Sequence, residues 1–167
     1  YTLSVWAIAQ FAPNQGKGFI IKNENTESGK SSYYYENIGQ NFTEDRYFYS
    51  RPSAVEYNAA AGAGSNYGPS NPEYLAEVQE RVRTFLKHNP GVKVSDIPSD
   101  LVTASGSGLD PDISEKAALI QVKRISRIRS IPESRLIDLV HKHTEQPLAG
   151  VLGPKKVNVV KLNMDLD

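Results

Sequence analysis

The chain has 167 residues, 39% of them hydrophobic, with 19 basic side chains balanced by 19 acidic ones. That is enough for one domain with a real core, and it gives no overall field to hold nucleic acid. The absence of cysteine excludes disulfides, thiolate metal sites and cysteine nucleophiles together.

The opening run from Tyr1 to Phe11 (YTLSVWAIAQF) is largely apolar but falls short of the roughly 20 residues a helix needs to cross a bilayer. Because the chain starts on Tyr1 and not on Met, an upstream segment is expected. The run then reads either as the trailing end of a removed spanning helix or as a buried first strand or helix. Tyr1 and Trp6 suit a membrane interface and a core equally. Gly18 to Lys22 reads as a short strand, followed by a polar turn-rich stretch and the aromatic run Tyr33, Tyr34, Tyr35, which reads as a core choice or, as the less favoured alternative, an exposed aromatic patch for a partner.

A second aromatic cluster, Tyr47, Phe48 and Tyr49, precedes a loop rich in Gly, Ala, Ser, Asn and Pro from Ala59 to Pro72. Ser70 and Glu73 have capping-box spacing with Pro72 in the first turn. Leu75, Val78, Val82, Phe85 and Leu86 then predict a helix that Asn89-Pro90-Gly91 stops. After a Gly/Ser turn from Ser105 to Gly108, Ser114 caps a helix running to about Arg129. Another helix starts at Pro132 with Leu136, Leu139, Val140 and His143 on one face. The closing KVNVVKLNMDLD alternates as a terminal strand, its apolar face on the even-numbered side from Val160 onward.

Chemistry-bearing patterns are few. Gly29-Lys30-Ser31 copies the end of a P-loop, but Glu24 stands where the loop needs its first glycine and would repel phosphate. Gly62, Gly64 and Gly68 miss the dinucleotide fingerprint by one residue and read as a flexible loop. Ser105 or Ser107 as a hydrolase nucleophile lacks the G-x-S-x-G context, and His88, His141 and His143 carry no positional signature. His141 and His143, two residues apart on a helix, point about 200° from each other and cannot share a metal. Lys123, Arg124, Arg127 and Arg129 form the chain's basic concentration, read as a solvated helix face, with binding of phosphate or an acidic partner as the alternative. Gln121 lies within an apolar stripe with Ala117, Ala118, Ile125 and Ile128, so its buried amide must find partners. Those partners are either the backbone of the preceding Gly/Ser turn or a ligand at the helix–turn junction.

Six stretches stand in order: IGQNF (38–42), YFYSRPSA (47–54), GSNYGPSNPE (64–73), LVTASGSGLDPDIS (101–114), ALIQVKRI (118–125) and VNVVKLNMDLD (157–167). Together they resemble the C subunit of the Kdp-type potassium-transporting ATPase of bacteria and archaea, over nearly the whole chain. Tyr33-Tyr34-Tyr35-Glu36-Asn37 departs from that pattern. The resemblance implies an N-terminal membrane-spanning helix and an extracytoplasmic domain at the cell membrane. The implied partners are a P-type ATPase subunit and a channel-like potassium-binding subunit. It implies a non-catalytic accessory role in potassium uptake, described as that of a catalytic chaperone for ATP use, with no tightly bound cofactor. Nucleotide contact is assigned to Gln121, and ATP binding here would be shaped by Ser105, Gly106, Ser107 and Gly108. A domain outside the membrane does not meet cytoplasmic ATP, so the alternative is a purely structural partner of the channel-like subunit.

The fold expected is α+β. Residues 1–167 form one domain in which a small, mainly antiparallel sheet, including Gly18 to Lys22 and the C-terminal strand, packs on about three helices.

Overall fold

The opening apolar run folds as α1 (Thr2–Ala9), and positive φ angles at Gly16 and Gly18 (73° and 76°) turn the chain into a hairpin. The structure, a computed structural model, describes residues 1–12, 14–24, 31–147 and 150–167. In the hairpin, β1 (Ile20–Glu24) pairs antiparallel with β2 (Ser31–Tyr35), Ile20 opposite Tyr35 and Lys22 opposite Tyr33. Two expectations are corrected here. No side chain of α1 is buried, with Leu3 81% and Trp6 63% exposed, so the run is not a core element. Tyr33 and Tyr35 are also outside the core, at 66% and 46% exposure, because a two-stranded ribbon has only one face covered. Among the described residues no helix is long and apolar enough to cross a membrane.

The apolar spacing from Leu75 produces α2 (Pro72–His88), which buries Phe85 and lays Val78 and Val82 against the core. Its cap is Asn71 and not Ser70: the Asn71 carboxamide oxygen accepts from the N–H groups of Glu73 (2.8 Å) and Tyr74 (3.1 Å), satisfying donors the first turn leaves open. Asn89 ends the helix, its side chain donating back to the Phe85 carbonyl at 2.9 Å. Two short 3-10 turns lead to β3 (Asp112–Ile113) and α3 (Glu115–Leu119). Ser114 caps α3 as expected, accepting from Ala117 N–H at 3.1 Å. The expected long helix is broken at residues 120–121, and α4 (Val122–Arg129) resumes with Gln121 at its N-cap.

The helix expected from Pro132 is α5 (Glu133–His143), followed by β4 (Thr144–Glu145), β5 (Lys156–Asn158) and α6 (Val159–Leu166). The terminal strand is therefore mostly a helix. Asn158 accepts from Lys161 N–H at 3.1 Å and starts α6, which buries Val159, Val160, Leu162, Asn163 and Leu166 at helical spacing. In the second sheet β5 lies between β3 and β4, antiparallel to both, with Val157 facing Ile113 and Thr144. The hairpin is separate from this sheet, so the single sheet expected from sequence is two. The fold is α+β nonetheless, with antiparallel strands packed on helices around Phe48, Phe85, Ile113, Ile125, Leu136, Val140, Val157 and Leu162.

Candidate functional site

Residues 48–53 have no regular secondary structure, yet Phe48 is fully buried, and buried backbone groups need partners. Side-chain amides supply them. Asn163 on α6 accepts from Phe48 N–H at 2.8 Å and donates to the Phe48 carbonyl at 2.9 Å. Gln121, at the α3–α4 break, accepts from Tyr49 N–H at 2.8 Å and donates to the carbonyls of Tyr49 (3.4 Å) and Ala117 (3.0 Å). A carboxamide carries the same donor and acceptor as a peptide group, and consecutive residues of an extended chain face opposite ways. The two amides thus stand in for strand neighbours on two sides. Gln121 is fully buried, as its stripe predicts. Its partner is Tyr49 and not the Gly/Ser turn, because the helix break turns the amide toward the extended segment.

The second acceptor site of the Gln121 oxygen is taken by Arg124 Nη2 at 2.7 Å. Arg124 was expected on a solvated face and is instead fully buried. Its Nε donates to Asn89 at 3.0 Å, another guanidinium N–H reaches the Asp45 carbonyl, and the group lies 3.9 Å over the Tyr49 ring. This is a cation sealed by hydrogen bonds and an aromatic face. Burial pushes its pKa down, opposed by Tyr49 and Asp45. At the rim, the Asp45 carboxylate accepts from the Tyr49 hydroxyl and lies 2.7 Å from His88 Nδ1. Burial pushes the Asp45 carboxyl up, but the Tyr49 and His88 hydrogen bonds and the charges of His88 and Arg124 together hold it below its ordinary value. Tyr49 is pushed up to about 12 by burial and by its bond to Asp45.

The turn at residues 105–108 is anchored on the same extended segment a few residues on. Ser105 N–H donates to the Pro52 carbonyl at 3.4 Å, and the Ser53 hydroxyl donates to Gly108 O at 2.7 Å while accepting from Tyr57 N–H at 2.9 Å. Arg51 pairs with Asp110 at 2.9 Å. Gly108 has φ +68°, and a Cβ there would lie 2.6 Å from Val55 Cγ2, so only glycine fits. Ser105 and Gly108 are buried and Gly106 and Ser107 exposed. The hydrogen bonds of Gln121 and those of the turn do not meet. Gln121 holds the segment at Tyr49 and the turn holds it at Pro52 and Ser53.

Of the other candidates, His141 pairs with Glu115 and His143 with Asp165, each at 2.9 Å, and no metal-holding cluster of His, Cys, Asp and Glu is found among the described residues. The Gly29 and Lys30 of the P-loop fragment lie outside the described residues. Residues 62–68 form a loop, as expected. Sequence reasoning missed Asn163, Asn89 and Asp45. For Asn163 the signal was its spacing four residues after Val159, on the buried side of α6.

Compared with known proteins, the chain matches over residues 1–167 the family model described as KdpC: K+-transporting ATPase, c chain. It is 52% identical over 167 residues to the potassium-transporting ATPase KdpC subunit of Flavobacterium johnsoniae, covering 100% of this chain and 87% of the relative. The corresponding subunit of Phocaeicola vulgatus is 46% identical over 170 residues, with 100% and 87% covered. That of Caldanaerobacter subterraneus is 49% identical over 154 residues, with 92% and 77% covered.

Proposed function

The chain belongs to the family of K+-transporting ATPase c chains, and on that premise we propose that it is a non-catalytic accessory subunit acting by contact with its partner subunits. Those partners are the P-type ATPase subunit and the channel-like potassium-binding subunit. The membrane is met through α1, since a largely apolar helix with no buried side chain needs a cover other than water. The rest of the domain lies on the extracytoplasmic side.

The observation that carries this reading is the saturation of Gln121. Its oxygen accepts from Tyr49 and Arg124 and its NH2 group donates to Tyr49 and Ala117, so every hydrogen-bonding position of the amide is used. Gln121 then acts as a positioning residue: it fixes Tyr49, the segment carries that order to Ser53, and Ser53 holds the turn whose exposed Gly106 and Ser107 meet a partner. Any effect on ATP use by the P-type subunit travels through the complex.

Direct nucleotide contact is the second reading, favoured by the exposure of Gly106 and Ser107. Amide NMR of the labelled protein titrated with ATP separates the two. The expected result is no saturable shift at millimolar ATP, with Gln121→Ala, checked for folding by thermal unfolding, weakening the ATP response of the reassembled complex. Saturable shifts at residues 105–108 and 121, lost in a folded Gln121→Ala, would replace this reading with direct contact.

A further inference from the structure

Of the sixteen large apolar side chains that stand exposed among the described residues, ten fall at or before Tyr35. Six of those are on or beside α1, and the other four are Phe19, Ile20, Tyr33 and Tyr35. The hairpin register explains why Ile20, Tyr33 and Tyr35 are together. Ile20 opposes Tyr35 and Lys22 opposes Tyr33, and side chains alternate across a ribbon, so Ile20, Lys22, Tyr33 and Tyr35 share one face while Ile21 and Tyr34 share the other. The second face is covered: Ile21 and Tyr34 are half-buried, and Tyr34 lines a cleft of about 300 Å³ with Val160, Asn163 and Met164 of α6. On the first face Ile20, Tyr33 and Tyr35 stand exposed, at 55%, 66% and 46%.

Its composition is specific. Two phenols with apolar bodies and polar tips beside an isoleucine are the mixture that favours the headgroup layer of a bilayer over either water or hydrocarbon. A contiguous apolar face of this kind on a folded domain marks a contact surface.

Continuity selects the occupant. The turn that leads into β1 folds back on the end of α1, where a Cβ at Gly16 would lie 3.0 Å from the Ala9 Cβ. The hairpin therefore starts beside the helix that, in the reading above, meets the membrane. We infer that the outer face of the β1–β2 hairpin is a lipid-docking surface, seated in the headgroup layer next to α1 through Ile20, Tyr33 and Tyr35. This rests on the membrane reading of α1. Its consequence is orientational, because a helix alone leaves the domain free to swivel and a second contact on one side fixes which face turns toward the partners.

The chain has no cysteine, so a single introduced one carries a unique nitroxide label. The test uses the full-length protein reconstituted into vesicles of phosphatidylethanolamine and phosphatidylglycerol, with labels at Leu3→Cys, Lys22→Cys and Tyr67→Cys. Collision with oxygen relative to a water-soluble nickel complex reports depth. Tyr67, 45% exposed outside the hairpin, is the water reference, and Lys22→Cys leaves the tyrosines in place. The expected result is a ratio at residue 22 several-fold above that at residue 67 and below that at residue 3, falling to the reference value when Tyr33→Ser and Tyr35→Ser are added. A water-like label at residue 22 with residue 3 immersed overturns the docking surface and leaves the membrane reading standing. A water-like label at residue 3 removes both. Shielding of residue 22 only when the partner subunits are present assigns the face to protein and also overturns the inference.

Discussion

Tyr33 and Tyr49 carry the same side chain and end in opposite environments. Tyr33 is 66% exposed on a ribbon that pairs only with itself. Tyr49 lies under the Arg124 guanidinium with its hydroxyl on Asp45 and both backbone groups held by Gln121. Both segments are aromatic-rich, so hydrophobicity does not separate them. The difference is the supply of polar partners: α4 with its N-cap and α6 send Gln121, Arg124 and Asn163 to the segment at residues 45–53, while the Tyr33 and Tyr35 rings stay exposed on the hairpin. A segment without regular structure can sit at the centre of a fold when amides replace its missing neighbours.

The largest effect should come from removing the cation of that inner network. Arg124→Leu leaves the Asn89 oxygen and the Asp45 carbonyl without their donor, and breaking a buried charged network costs about 3–5 kcal/mol. Against a total stability of about 5–15 kcal/mol, urea unfolding should show the midpoint falling sharply. A loss under about 1 kcal/mol would place the segment's stability in the Phe48 ring instead of the network.

Next is the glycine that lets the turn approach the segment. Gly108→Ala combines a left-handed φ of +68° with a Cβ 2.6 Å from Val55 Cγ2 and 2.9 Å from the Ala63 carbonyl, a cost on the order of 3 kcal/mol. Gly91→Ala has a positive φ of +95° but nothing within 4 Å, so strain alone leaves about 1 kcal/mol. The gap between the two variants, read from urea midpoints, measures how tightly the turn is packed. Equal losses would mean that the close approach relaxes without cost.

The inner region was only partly legible in the sequence. Helix starts at Pro72, Ser114 and Pro132 follow from caps and apolar spacing, and the buried amide of Gln121 followed from its stripe. Arg124 lies on the same side, three residues after Gln121, but charge drew it to the solvated face in the sequence reading; its partners, Asn89 and Asp45, are remote in the chain. The closing segment alternates over a few residues and also fits helical spacing from Val159 to Leu162, Asn163 and Leu166. Asn158 as an N-cap decides for the helix, and that cue is local. The split of the sheet in two is a long-range outcome with no local cue.

Acid should weaken the inner region at its rim. Asp45 has its carboxyl held below the ordinary value despite burial, by Tyr49, His88 and Arg124. A depressed carboxylate contributes stability that is fully present above the unfolded pKa of about 3.9 and is lost as pH falls through the folded value. Urea midpoints taken from about pH 5 down to about pH 3 should therefore drop less in Asp45→Asn than in the parent. The same slope in both would assign the acid sensitivity to other carboxylates, with Asp165, held low by Lys142 and His143, the next to replace.

The smallest effect is expected from the outer region, and it bears most directly on the contrast between the two. Tyr33→Ser with Tyr35→Ser removes two rings that stand exposed, and exposed substitutions of this kind fall within about 0.5 kcal/mol. The hairpin stays attached through its inner face and its end: Tyr34 faces α6, Asn158 donates to the Glu36 carbonyl at 2.8 Å, and Lys161 pairs with Glu36 at 2.5 Å. Thermal unfolding of the double variant in detergent-free buffer should then match the parent, while Asn158→Ala, which removes both that bond and the cap of α6, should lose about 1–2 kcal/mol. If the tyrosine variant is destabilised as much as Asn158→Ala, the outer face has a partner within the chain and the two regions are one. If it is not, the two rings contribute nothing to folding, and whatever they do contribute comes through a surface they meet outside the chain.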